Sequence, residues 1–221
     1  MVPVISFIGW QDSGKTTLAA QVVSHLREKG LRIAVIKSSG HACIPFDTPG
    51  TDTDKYRQAG ADSVMLVAPD QMVLFSPPPE TGLALLAHRY FYDYDLVIGE
   101  GFKNERKINK IEVRSGNAET LRDKVTGVVA LVTDLDTEGE NIFRFDESRK
   151  IADFIAKRLI EGKKARHETA VLLVNGRKVP MKGFVQEALA GTVHGFVKTL
   201  KQTGAIGDID LKIKFVSPTD E

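Results

Sequence analysis

The chain has 221 residues, 42% hydrophobic and 27% charged, a balance that belongs to a folded globular protein and excludes a disordered one. Its 30 Lys and Arg against 29 Asp and Glu leave a formal net charge of +1, without the electrostatic footprint of a nucleic-acid or membrane-surface protein. No apolar run reaches the roughly 18 residues of a membrane span, and the single cysteine, Cys43, builds neither an internal disulfide nor a multi-cysteine zinc site, which fits a reducing cytoplasm.

Strand and helix signals alternate from the N-terminus. Residues 2–8 form a short apolar run without a charged flank or small-residue cleavage site, so they read as a strand and not as a secretory signal. A Gly-rich turn follows, then a helix over 16–29 in which Leu18, Val22 and Leu26 recur at every fourth position and Val23 joins their face. Gly30 stops it. Residues 31–36 read as a strand, 38–53 as a loop, 56–60 as helix, and 63–68 and 72–76 as strands around Pro69-Asp70. Pro77 to Pro79 end that pairing. A helix over 80–90, strands over 95–99, 110–113 and 125–132, and a helix over 151–160 complete the series. Apolar strands alternating with helices predict an α/β fold, a mainly parallel twisted sheet with helices on both faces and right-handed crossovers.

The polar, basic run 161–167 reads as a linker. Beyond it a strand over 170–174, the turn Asn175-Gly176, a return strand over 177–181, an amphipathic helix over 184–200 and a strand over 209–216 make a small β-β-α-β module. The expected domains are 1–161 and 168–216.

Gly9-Trp10-Gln11-Asp12-Ser13-Gly14-Lys15-Thr16 matches G-x-x-x-x-G-K-[ST] in full, between a predicted strand and a predicted helix. Gly9 and Gly14 let backbone N–H groups turn inward, and with the helix N-terminus these make an anion nest. The expected phosphate ligands are Gly9, Gln11, Asp12, Ser13, Gly14, Lys15, Thr16 and Thr17, with Lys15 neutralising the β- and γ-phosphates and the Thr16 hydroxyl on Mg²⁺. The motif makes residues 1–161 a P-loop NTPase fold. Glu100 ends the buried strand 95–99, where a carboxylate that organises magnesium and water belongs, so Lys15 and Glu100 are the expected catalytic groups. Lys37 ends the second strand at the same sheet edge and is read as a phosphate or substrate contact. Asp52 precedes a helix, where it either takes part in capping or joins Thr16 and Glu100 at the metal. Thr133-Asp134 follows an apolar strand; its acid either reads the two parallel donors of guanine or caps a helix, and the full Asn-Lys-x-Asp signature is absent. His41 and Cys43 supply only two soft-metal donors.

Together with these motifs, Val35-Ile36-Lys37 followed by His41, Phe46-Asp47-Thr48-Pro49-Gly50-Thr51-Asp52-Thr53, Arg57-Gln58-Ala59-Gly60-Ala61, Asp95-Leu96-Val97-Ile98-Gly99-Glu100-Gly101-Phe102-Lys103 and Lys110-Ile111-Glu112-Val113 carry a resemblance. Over residues 2–160 the chain resembles the molybdopterin-guanine dinucleotide biosynthesis adaptor family, MobB. It departs from that family in having Ser38-Ser39-Gly40 where His usually follows the strand-end Lys. The resemblance implies a dimeric, cytoplasmic GTP-binding protein with Mg²⁺ and slow GTP hydrolysis. It also implies two partners: the guanylyltransferase that joins GMP to molybdopterin, and molybdopterin itself. The alternatives are a P-loop small-molecule kinase, against which the isolated Arg57 and Arg89 count because they make no Arg-rich lid, and a metal-delivery GTPase.

Overall fold

The structure is a computed structural model that describes every residue except 42–43, 45–46, 79–81, 117, 162–168, 176, 202–203 and 214–221. The chain divides into two compact units, Met1–Lys164 and Ala165–Glu221.

The first unit opens with β1 (Val4–Ile8), α1 (Lys15–Glu28), β2 (Ile33–Lys37) and α2 (Asp52–Gln58). Then come β3 (Val64–Val67), β4 (Met72–Phe75), α3 (Leu83–Phe91), β5 (Leu96–Glu100), β6 (Asn109–Arg114), β7 (Val128–Thr133), β8 (Ile142–Phe143) and α4 (Ser148–Leu159). Six strands form one sheet in the order β2-β5-β1-β6-β7-β8, and every pairing in it is parallel. The expected α/β architecture is what the chain adopts. Strands β5 and β1 lie inside the sheet and are buried along almost their whole length, which is why they read as continuous apolar runs and not as alternating ones.

Each face of the sheet is covered. On one, α1 buries Leu18, Ala19, Val22 and Leu26 and α4 buries Ile151, Ala152, Ile155, Ala156 and Leu159, stripes of helical period that close over Ile5, Phe7, Ile98, Ile111 and Val132. On the other, Ala87 of α3 packs with Ala34 and Val97. Gly99 lets α3 come close: a Cβ there would stand 2.5 Å from Leu83 Cδ2. Lys110 is a fully buried lysine, satisfied by the carbonyls of Glu105 and Thr126, and burial pulls its ammonium below its ordinary value against the Glu105 charge. Strands β3 and β4 pair antiparallel only with each other, apart from the main sheet. The two-residue β8 has no sequence periodicity to announce it.

The second unit contains β9 (Leu172–Val174), β10 (Arg177–Val179) and α5 (Gly183–Val197). The hairpin pairs as its turn residues require. The described part of the expected last strand, residues 209–213, has no strand conformation, and 214–216 lie outside the described residues. Ile209, Leu211 and Ile213 alternate, but β9 and β10 pair only with each other, so no neighbour completes a ladder. The module is β-β-α among the described residues.

Candidate nucleotide-binding site

The carboxyl ends of β1, β2, β5, β6 and β7 share one edge of the sheet, and the chain between β1 and α1 curls there. Gly9 is held tightly: a Cβ would stand 2.2 Å from the Val113 carbonyl oxygen of β6. At the other end Gly14 takes φ 83°, the left-handed region that suits glycine, and precedes the first turn of α1. No side chain caps α1 and no acid lies in its first turn. Its leading N–H groups are therefore left for an external acceptor, the condition for anion binding. Ser13 is buried, Asp12 is exposed at φ 58°, and Gln11 and Thr17 are exposed. The Lys15 ammonium bends back over the loop to the Trp10 carbonyl and to Ser13 Oγ at 3.2 Å. Burial pulls Lys15 below its ordinary value, opposed by the charges of Glu100 and Asp12.

Glu100 closes the cradle from the side of β5. Its Oε1 accepts from Thr16 Oγ1 at 2.7 Å and from Lys37 Nζ at 2.9 Å, while Lys37 Nζ also reaches Thr16 Oγ1 at 3.3 Å. Burial pushes the Glu100 carboxyl up, but the hydrogen bonds from Lys37 and Thr16 and the charges of Lys37 and Lys15 outweigh it and hold it below the usual carboxylate range. The backbone fixes the group: Ser38 N–H donates to Glu100 O and Gly101 N–H to Phe7 O, each at 2.9 Å. Two oxygens, one from the first turn of α1 and one from the end of β5, thus face one ammonium. That donor set, a carboxylate and a hydroxyl, suits a hard cation such as Mg²⁺, with Lys37 standing where the cation's charge would lie.

Asp52 is not brought to this pair. Its side chain is 87% exposed and salt-bridged to Lys55 at 3.0 Å, and Thr51 caps α2 by accepting from Asp54 N–H at 3.3 Å. Among the described residues no three His, Cys, Asp or Glu side chains converge on one point. His41 donates its N–H to Ser39 Oγ at 3.0 Å, and Cys43 lies outside the described residues. Thr133 is buried at the end of β7, and Asp134 caps no helix; its carboxylate accepts from Gly116 N–H at 2.9 and 3.1 Å.

Sequence reasoning gave no role to three further groups. Trp10 Nε1–H donates to Glu119 O at 2.7 Å, and the Lys103 ammonium lies 5.0 Å from the Trp10 ring centroid. Phe145, after β8, lies beside Gly14, 3.2 Å from where a Cβ would be. Glu112, almost fully buried, accepts from Thr120 Oγ1, Leu121 N–H and Arg122 N–H. A charged residue inside the apolar run Ile111-Glu112-Val113 was the one available signal for the last.

A family model described as "MobB: Molybdopterin guanine dinucleotide synthesis protein B" matches residues 4–134. The chain belongs to the MobB family. The molybdopterin-guanine dinucleotide biosynthesis adapter protein of Escherichia coli (strain K12) is 28% identical over 164 residues, covering 71% of this chain and 93% of the relative. The protein of the same name in Haemophilus influenzae is 29% identical over 157 residues, covering 70% of this chain and 88% of its own. A crystal structure of molybdopterin-guanine biosynthesis protein B superposes with a TM-score of 0.57 at 32% identity, covering 70% of this chain and 98% of that one. The crystal structure of Bacillus subtilis MobB gives 0.58 at 25% identity, over 71% and 98%. The MobB match ends at Asp134, so the groups of the cradle lie within it and the second unit lies beyond it. Among the described residues no helix is long and apolar enough to cross a membrane.

Proposed function

We propose that this member of the MobB family is a cytoplasmic GTP-binding adaptor in molybdopterin guanine dinucleotide biosynthesis, serving the enzyme that attaches GMP to molybdopterin. The observation that carries the nucleotide reading is the 2.7 Å hydrogen bond from Thr16 to Glu100, which joins the phosphate cradle to the strand-end acid. In this reading the N–H groups from Gly9 to Thr17 hold the phosphates and Lys15 swings from the Trp10 carbonyl onto them. Mg²⁺ neutralises phosphate charge when bound, held by Thr16 and Glu100, and Lys37 gives way to it or turns to a phosphate oxygen. Thr133-Asp134 reads the base. Lys15 and Glu100 are the proposed catalytic groups, and turnover is slow because, among the described residues, no arginine bonds to the groups of the cradle to stabilise developing charge. Asp52, exposed and paired with Lys55, supports capping of α2 better than metal ligation.

A homodimer is part of the same proposal. Met65, Val67, Met72 and Leu74 share one face of the β3–β4 hairpin and are all exposed, an apolar surface that a second copy would cover.

Calorimetric titration with GTP and ATP, each with Mg²⁺, tests the reading beside Lys15→Ala. GTP is expected to bind more tightly than ATP and to lose its binding in the variant. Equal or tighter ATP binding moves the site to the kinase reading, and an unchanged Lys15→Ala variant removes the phosphate cradle from the account.

A further inference from the structure

The metal end of the cradle sets the direction in which a nucleoside lies. Thr16 and Glu100 meet on the β5 side of β1, while β6 and β7 follow on the other side in the sheet order. A triphosphate with its last phosphate at Glu100 therefore carries its base over the carboxyl ends of β6 and β7. Two polar groups meet there: the Asp134 carboxylate just after β7, and the Gly116 N–H just after β6, 2.9 and 3.1 Å from its two oxygens.

An acceptor pair thus lies beside a single donor. The Watson–Crick edge of guanine is the complement, with N2–H₂ and N1–H donating and O6 accepting. Adenine presents an acceptor at N1 and a donor at N6, which would set like against like at both places. The geometry points to the Gly116 N–H as a specificity-determining donor to guanine O6, beside Asp134 accepting from N1–H and N2–H₂. This rests on the nucleotide reading above and extends it by giving the base a second contact, on a different strand end.

Gly116 takes φ 56°, the left-handed region that suits glycine, and a Cβ there would meet nothing within 4 Å, so there is open space for a base beside this backbone. Residues 119–122 of the same connection are pinned. Glu112 holds Thr120, Leu121 and Arg122, and Trp10 of the P-loop holds Glu119 O. Glu112 is a positioning residue for the donor, and Trp10, the single tryptophan, reports on the same connection.

The test uses the full chain with GTP and 6-thio-GTP, which keeps N1–H and N2–H₂ but replaces O6 with a weakly accepting sulfur. GTP is expected to bind about tenfold more tightly, the size of one hydrogen bond. Thr120→Val, which releases one anchor of the connection, is expected to weaken GTP and leave 6-thio-GTP unchanged. GTP is expected to shift Trp10 emission more than ATP does. Equal affinity for GTP and 6-thio-GTP, both above ATP, overturns the role of Gly116 and leaves the nucleotide reading standing; so does a Thr120→Val loss that is the same for both. No nucleotide binding, or ATP at least equal to GTP, overturns the reading beneath and this inference with it.

Discussion

The two units of this chain differ in what holds them. Met1–Lys164 has a continuous apolar core, with Ile5, Phe7, Leu26, Ile98, Ile111, Val132, Ile151 and Ile155 inaccessible to solvent. No described residue of Ala165–Glu221 is buried, and Phe184, Phe196, Leu211 and Ile213 are each at least 60% exposed. The first unit can hold a carboxylate and a hydroxyl at hydrogen-bond distance because β5, which carries one, is locked in a parallel ladder, and α1, which carries the other, is packed on that sheet. The second has the hairpin and helix its signals encode, but among the described residues no buried side chain packs it from within.

The largest effect expected is a contrast in side-chain truncation. Ile155→Ala, in the core between α4 and the sheet, should cost about 2–5 kcal/mol. Phe196→Ala should change the stability of the first unit by less than about 0.5 kcal/mol. Urea denaturation followed by far-UV circular dichroism measures both. An equal loss from Phe196→Ala would show that the second unit is part of the same cooperative fold.

Next comes Gly9→Ala. Its Cβ would meet the Val113 carbonyl oxygen at 2.2 Å, so either the P-loop or β6 must move. The expected cost is about 3 kcal/mol, together with loss of nucleotide binding. The thermal midpoint and a GTP titration report the two consequences separately.

What was legible in the sequence follows the same division. The parallel sheet could be read because its strands are buried on both faces and so appear as unbroken apolar runs, as in Leu96-Val97-Ile98. The Thr16–Glu100 pairing could be anticipated because the loop and helix that follow β1 start beside the end of β5, its neighbour in the sheet. Asp52 could not be placed, since its distance from Glu100 depends on the loop before α2 and not on the sheet. The partners of Glu112, Gly116 and Trp10 were unreadable because each contact has backbone on at least one side: N–H groups at Glu112, the Gly116 N–H at Asp134 and a carbonyl oxygen at Trp10. Backbone leaves no mark on residue type. Residues 209–213 show the limit of alternation: Ile209, Leu211 and Ile213 have the period of a strand and, among the described residues, no strand to pair with.

A smaller effect separates the site from its surroundings by pH. The folded-state value of Glu100 is held below its unfolded one, so its contribution is complete above the ordinary glutamate value of about 4.3 and is lost as pH falls through the lower folded value. Glu100→Gln should therefore flatten the acid limb of the stability profile by up to about 1.4 kcal/mol per pH unit over that window. Denaturation at a series of pH values between about 2.5 and 5.5 measures it. An unchanged limb would mean that Lys37 and Thr16 contribute nothing to the charged form, leaving Glu28, Asp47 and Glu147, each also held low, to carry the acid dependence.

The smallest effect tests the second unit on its own terms. Gly191 lies inside α5, exposed, with open space where a Cβ would go. Where no core fixes a helix, intrinsic propensity has the larger share in its stability, and Gly to Ala in a helix interior is worth about 1 kcal/mol. Gly191→Ala should therefore slow amide hydrogen exchange along Gly183–Val197 and leave the first unit's transition where it is. If exchange quickens instead, the missing side chain is required for another surface to approach α5 closely. The exposed apolar residues of this unit would then belong to an interface, and its want of a core would be explained by what covers it.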